Sequence, residues 1–445
     1  MKERICRIAS AGAALLLGVI LALAAIPAWG QGRGLGFERA RAKAMLKRVS
    51  REIEKKFYDP NLRGLNWKQL TAQARQRIEN ADSIGEMLTA IFALTDRLQD
   101  SHTVFIPPGR VAKTLYGFQA KPFGDEIRIY ELKKKGAAAA AGLQRGDRLW
   151  AINGVMLDGR NFDLFMLYIR VLRPVSVMEI TYSRGNTLPR TVRVEGKIKQ
   201  GKTITDLTRG NDIFQLIREA ESAKQVFRYR NHEGGIGYLA LPSFTADKRF
   251  MNRLVNRIKK AQAVIIDLRG NRGGAVEILK YVCGYFEAEP TVIAEMVGRK
   301  EPKPIKVKPR PPALHGPLFI LADSQSASAA EIFARHFQRN GRAVVIGDRT
   351  AGKVTVARFF SMQVGVEVVS LYGLSVATAR LVFPDEEELE NRGVTPDRLC
   401  IPTEDDLRED RDPCRRLAVA LARSALGLSE PGDEKEEQKD KEKKY

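Results

Sequence analysis

Ser328 lies in Asp323-Ser-Gln-Ser-Ala-Ser-Ala-Ala-Glu331, at the mouth of an apolar helix, and Lys353 arrives 25 residues later behind Gly352. A serine hydroxyl attacks a carbonyl only when a neighbouring base takes its proton. Lys353 sits in Thr350-Ala-Gly-Lys-Val-Thr-Val356, an apolar context that pulls an ammonium pKa down as long as no acid pairs with it. His102, in Gln99-Asp-Ser-His-Thr103, is the second candidate base. A neutral imidazole needs no large shift to accept a proton near pH 7. The chemistry on offer is acyl transfer. The bland reading stands beside it: Ser328-Ala-Ala-Glu331 is also a capping box, in which the serine only starts a helix.

The surrounding pattern predicts how these groups are positioned. Leu318–Ala322 reads as a buried strand and 327–338 as a helix, so Ser328 falls at a strand-to-helix junction. Free amides and the helix dipole there favour a developing oxyanion. A second loop, Asp267-Leu-Arg-Gly-Asn-Arg-Gly-Gly274, follows the β-branched strand 264–268. Its glycines let backbone amides come close to a ligand, while Asp267 and Arg269 read as braces. The loop lacks the Gly-Lys-Ser/Thr ending of a nucleotide-binding loop. Strands at 235–241, 264–268, 318–322 and 343–346 alternate with helices at 248–260, 275–286 and 327–338. That alternation is the signature of βαβ units and an α/β fold. The run 299–312 is too rich in Lys and Pro for a central strand.

Composition bounds the class. With 445 residues, 44% hydrophobic and 29% charged, the chain suits a globular protein of two or three domains. Lys2, Arg4 and Arg7 precede an apolar run from about Ile8 to Ala28, which reads as a secretory signal peptide over 1–30. An uncleaved membrane anchor is the rival. The formal charge of +21 would attract acidic partners or an anionic membrane or cell-wall surface. Nucleic acid is not expected, because no aromatic-basic interleaving supports it. Of four cysteines, Cys400 and Cys414 flank a polar segment and could pair, a bridge that spacing alone does not establish, and Cys283 reads as a buried apolar residue. No Cys/His spacing suits a metal, and no cofactor is expected. Residues 37–112 read as a helical N-terminal domain and 201–230 as a connector with a helical stretch at 212–219. Residues 231–405 read as the core, 406–428 as a C-terminal helix, and the charged tail 429–445 as disordered.

Over roughly residues 85–400 the motif order resembles the carboxyl-terminal processing (tail-specific) serine proteases. The resemblance implies a ClpP/crotonase-like protease core with an inserted PDZ domain over 113–200. Leu115-Tyr-Gly-Phe118 resembles that domain's carboxylate-binding loop, and Ala140-Ala-Gly-Leu-Gln-Arg-Gly-Asp-Arg-Leu-Trp-Ala-Ile-Asn-Gly154 its helix-turn-strand signature. Such a module takes a peptide C-terminus as an added strand, or gates the protease. The resemblance makes Ser328 the nucleophile and Lys353 the base, with Gly273 or Gly274 joining Ala329 as the oxyanion hole. Three positions depart from the family: Ala330 replaces the last Ser of the nucleophile motif, Ala357 an orienting Gln, and Arg339 an acid. Asp-Ser-His-Thr is similar to the tricorn and retinoid-binding-protein branch, where in the tricorn-like proteases a His serves as base. The choice between Lys353 and His102 therefore stays open. Substrates would be proteins or peptides with free C-termini, and a homo-oligomer fits the family. A catalytically silent scaffold on the same fold is the alternative.

Overall fold

The computed structural model describes residues 34–108, 112–159, 161–169, 175–200, 226–365, 369–429 and 443–444. The signal segment 1–30 and the helical stretch at 212–219 lie outside them. Apolar residues at three- and four-residue spacing make α1 (Leu35–Lys56), α2 (Trp67–Glu79) and α3 (Ile84–Asp96) amphipathic. Asn66 and Ser83 start the latter two by accepting from the amides of Gln69 and Glu86. These helices do not close a core of their own. Val49, Ile53, Ile78, Met87 and Ile91 pack with Tyr372, Leu374 and Val376 from a sheet described below. Strand β1 (Val104–Ile106) leads from them directly into that sheet.

The inserted unit begins with β2 (Ala112–Leu115), β3 (Phe118–Phe123), β4 (Glu126–Leu132) and the short helix α4 (Ala137–Ala140). It continues through β5 (Arg148–Ile152), β6 (Val155–Met156), α5 (Phe162–Leu167), β7 (Val177–Ser183) and β8 (Arg190–Glu195), and closes with β9 (Lys197–Gln200). Strands β2 and β9 pair antiparallel as a two-stranded ribbon carrying the chain in and out. Between them runs an antiparallel sheet in the order β3-β4-β5-β7-β8. Its core, with Ile127, Ile129, Leu149, Met178, Ile180 and Tyr182, is separate from the others.

The chain then builds β10 (Arg228–His232), β11 (Ile236–Ala240), α6 (Lys248–Arg257), β12 (Ala263–Asp267) and α7 (Val276–Cys283). There follow β13 (Thr291–Gly298), β14 (Lys303–Val307), β15 (Leu318–Ala322), α8 (Ala329–Arg339) and β16 (Ala343–Gly347). Last come β17 (Val356–Val364), β18 (Ser370–Val382), β19 (Arg398–Leu399), α9 (Glu404–Glu409), α10 (Pro413–Ala425) and β20 (Lys443–Lys444). The central sheet runs β19-β16-β15-β12-β11-β10-β20, parallel from β19 to β11. All five residues of β12 and of β15 are buried, because helices cover both faces. Helices α6, α7 and α8 lie over one face and α10 over the other. The architecture is a mixed α/β fold with a small helical N-terminal region.

Three features differ from or add to the sequence reading. A second, antiparallel sheet, β1-β18-β13-β14 with β17 also on β18, occupies stretches to which no strands were assigned. Its β14 falls inside the Lys/Pro-rich run but at the sheet edge, where missing donors are tolerated. The tail expected to be disordered contributes Lys443–Lys444 as a two-residue strand on β10. An edge strand's unpaired backbone groups template such an addition. Cys400 and Cys414 form a disulfide between β19 and the start of α10, and Cys283 is buried and free. Replacing both bonded cysteines by serine lowers unfolding free energy by about 3 kcal/mol, from the entropy of a loop this short. Chemical denaturation of both forms measures it.

Candidate active site

The loop after β15 is stitched before it reaches Ser328. Asp323 accepts from the amides of Gly270 (2.9 Å) and Gln325 (3.0 Å), and Ser326 Oγ donates to the Leu268 carbonyl (2.8 Å). Burial pushes the Asp323 carboxyl up, but Lys121 from β3 outweighs it and the group sits below its usual range. Ser328 itself is strained, with φ +57° and ψ −120°. A non-glycine residue in such a conformation persists only when its surroundings impose it. Two bonds do so here: the Ser328 amide donates to the Lys353 carbonyl (2.7 Å) and to Glu331 Oε2 (3.1 Å).

Glu331 organises both sides of the site. Its carboxylate, fully buried, also accepts from Thr350 Oγ1, from the Gly352 amide (2.7 Å) and from the Lys353 amide (2.8 Å). Burial drives its carboxyl up to about 7 against the pull of those donors. The cap read from the sequence as the bland alternative is thus the scaffold of the elbow. It holds the candidate nucleophile and the Lys353 loop in one register.

The glycine loop lies against the elbow. A Cβ on Gly273 would stand 2.6 Å from Ser328 Cβ and 3.0 Å from the Ala329 amide nitrogen. The Gly273 amide donates to Asn271 Oδ1 (2.8 Å), whereas those of Gly274 and Ala329 find no acceptor among the described residues. Of the two glycines, Gly274 therefore has the open donor. Asp267 and Arg269 form a brace: Arg269 grips Asp267 through Nη2 at 2.6 Å and Asp412 at 2.7 and 2.8 Å, and Tyr238 donates to Asp267. Burial raises the Asp412 carboxyl, but Arg269 outweighs it and brings the group to about 2.

The two candidate bases find different partners. Lys353 Nζ lies 2.9 Å from Asp163 Oδ2 on α5 of the inserted unit, and Arg272 lies 3.9 Å from the same oxygen. The expectation that Lys353 lacks an acidic partner is corrected: an acid 190 positions away in sequence folds onto it. Lys353 and then Arg272 hold the Asp163 carboxyl well below the usual range, against the effect of burial. His102 presents Nδ1 to Ser101 Oγ (2.8 Å) and Thr355 Oγ1 (3.1 Å). Burial lowers its pKa and Lys353 adds to the effect, with Asp100 and Glu390 opposing. Glu390 pins this arrangement by accepting from the amides of Ser101 (3.1 Å), Val354 (2.8 Å) and Thr355 (3.3 Å). The segment 353–355 thus touches Ser328 on one side and His102 on the other. The Ser328 hydroxyl hydrogen-bonds to neither base; such contacts often close only with substrate bound.

Ser101, Glu390, Thr355 and Asp163 were missed from sequence. Ser101 directly precedes His102, and Thr355 follows Lys353 by two positions. Those adjacencies were the available signal. In the inserted unit, Leu115 ends β2, and Gly117 takes φ +85° with Gly136 packed against it. Tyr116 and Phe118 are 2% and 5% exposed, so a ligand at this loop would meet backbone, not those rings.

A strained serine beside open backbone amides at the end of the parallel sheet, with an imidazole brought in from the loop before β1, is an arrangement suited to a serine hydrolase. Comparison with known proteins narrows the class. Residues 235–399 match the model of Peptidase family S41, and residues 39–89 that of the Tricorn protease C1 domain. Residues 235–399 thus carry a Peptidase family S41 core, and the relatives that the chain resembles are carboxyl-terminal-processing proteases. It is 24% identical over 411 residues to the carboxyl-terminal-processing protease of Synechocystis sp., covering 90% of this chain and 88% of that one. Against carboxyl-terminal-processing peptidase 1, chloroplastic, of Arabidopsis thaliana it is 25% identical over 338 residues, or 72% of this chain and 64% of the relative. The fold is similar to mature CPAF, with a TM-score of 0.65, 15% identity, and coverage of 87% of this chain and 98% of that chain.

Proposed function

We propose that the protein is an exported serine endopeptidase in which Ser328 is the nucleophile and His102 the general base. The observation that carries this is the division of partners: His102 Nδ1 is anchored by Ser101 and Thr355, whereas the Lys353 ammonium is engaged by Asp163. With Nδ1–H donating to Ser101 Oγ, the Nε2 lone pair is the one left to take a proton. Ser328 Oγ attacks the peptide carbonyl as its proton passes to His102. The amides of Gly274 and Ala329 hold the oxyanion, and the imidazolium returns the proton to the leaving amine. Water then repeats the sequence on the acyl-enzyme. Glu390 fixes the backbone on both sides of the imidazole, so it acts as a positioning residue. Intact nucleophile, base and open amides oppose a silent scaffold. Hydrolysis of an unfolded protein by the mature chain and by Ser328→Ala tests the reading: equal cleavage by both would overturn it.

The inserted unit is read as a PDZ module. Its β3 is an edge strand, which offers a peptide C-terminus a place to add. The basic N-terminal flank and apolar run support export to the periplasm or another extracytoplasmic space. Among the described residues, no helix is long and apolar enough to cross a membrane.

The scaffold carboxylate makes activity and stability respond to pH in opposite senses. Below about pH 7 Glu331 takes a proton, and one of its donors loses its acceptor, loosening the elbow. Expected is a kcat/KM that rises through about pH 7, with Glu331→Gln slower at every pH and lacking that rise. For stability, a carboxyl whose folded pKa exceeds its unfolded value binds its proton more tightly when folded. Its contribution is full below about pH 4.5 and is lost as pH climbs through about 7, up to about 3 kcal/mol. A kcat/KM profile flat from pH 5 to 8 would contradict the assignment.

A further inference from the structure

With His102 as base, the cations flanking Ser328 have no task in the proton transfer. Lys353 and Arg272 converge on one oxygen of Asp163, at 2.9 and 3.9 Å. Both are fixed to the chemistry through their backbone. The Lys353 carbonyl accepts from the Ser328 amide, and Arg272 immediately precedes Gly273 and Gly274. Asp163, by contrast, comes from the six-residue helix α5 of the inserted unit. The group is open to water: the side chains of Lys353, Asp163 and Arg272 are 36%, 42% and 29% exposed. Pairs this open to water are weak, so an incoming carboxylate can exchange with Asp163 at little loss. A carboxylate held by two cations whose backbones adjoin the nucleophile is a site with an internal occupant.

We propose that Lys353 and Arg272 form a carboxylate subsite for the peptide substrate, filled at rest by Asp163. The ligand is a carboxylate of the peptide, either an acidic side chain near the scissile bond or the chain's own C-terminal group. The subsite rests on the reading of Ser328 and His102 as the catalytic pair. It makes the protease selective for substrates that present negative charge beside the cleaved bond, and it gives Asp163 the role of a competitor released by such substrates.

Four versions of one peptide test it, with Glu or Gln flanking the scissile bond and a free or amidated C-terminus. In the mature protein, Asp163→Asn is expected to raise kcat/KM about fivefold on carboxylate-bearing peptides and less than twofold on the amidated Gln peptide. Lys353→Met and Arg272→Met are expected to bring the ratio of charged to neutral rates to about one. Whether Glu or the free C-terminus carries the preference identifies the source of the carboxylate. An equal gain on all four peptides in Asp163→Asn overturns the subsite, since Asp163 would then be a simple gate. An unchanged ratio in a Lys353→Met enzyme that still cleaves overturns it as well. A Lys353→Met enzyme unable to cleave even the neutral peptide brings down the His102 assignment and the subsite with it.

Discussion

His102→Ala lowers kcat/KM on a neutral peptide by about a thousandfold, whereas Lys353→Met lowers it by no more than about tenfold. A positioned general base contributes about 10²–10⁴ in rate, the range that removing the imidazole should expose. A thousandfold corresponds to about 4 kcal/mol of transition-state stabilisation. The asymmetry follows from what each group faces. A lysine serves as base only when its amine reaches the serine, and Lys353 Nζ is instead hydrogen-bonded to Asp163 at 2.9 Å. The imidazole is already neutral at pH 7, because burial lowers its pKa. Steady-state kinetics at pH 8 on the two variants decides the matter. The reverse order of losses would make Lys353 the base and leave His102 a packed histidine.

Gly273→Ala abolishes most of the activity while Gly270→Ala keeps it, although both positions have positive φ. At Gly273 (φ +95°) the new methyl would sit 2.6 Å from Ser328 Cβ and 3.0 Å from the Ala327 carbonyl and the Ala329 amide. Elbow and loop cannot both stay in place, so the amides proposed to meet the oxyanion are displaced. Losing one such donor lowers kcat by about 10²–10³. At Gly270 (φ +72°) a methyl meets nothing within 4 Å, so only the backbone preference is lost, about 1–2 kcal/mol. Comparing kcat and melting temperature for the two variants separates a displaced site from a destabilised fold. Equal activity loss in both would mean that the loop acts through stability alone.

The parts legible in the sequence were those whose cause is local. Strands β12 and β15 are apolar at nearly every position because both faces are covered, and the glycine loop and the serine elbow follow them within a few residues. The paired strands β17 and β18 were missed for the opposite reason. Exposed and buried positions intermingle along them, and what makes them strands is pairing with each other, with β1 and with β13. The same divide runs through the site. Ser328, Lys353 and His102 were nominated by residue type, but their relative roles depend on contacts that span the chain. Glu390 reaches Ser101 across 289 positions, and Asp163 reaches Lys353 across 190. No spacing rule anticipates either.

The ribbon formed by β2 and β9 has a mechanical consequence. Both strands leaving the core are hydrogen-bonded to each other from Ala112↔Gln200 to Leu115↔Lys197, so the inserted unit stands on a double stalk. Paired strands lie about 5 Å apart and resist independent torsion. The unit is also docked on the core through Lys121–Asp323, Gly124–Asp348 and Arg145–Asp410, so any tilt of it as one body about the foot of the stalk must part those contacts. A tilt at that foot would move Lys121 from Asp323 and Asp163 from Lys353 in a single stroke, because both contacts ride on the same lever.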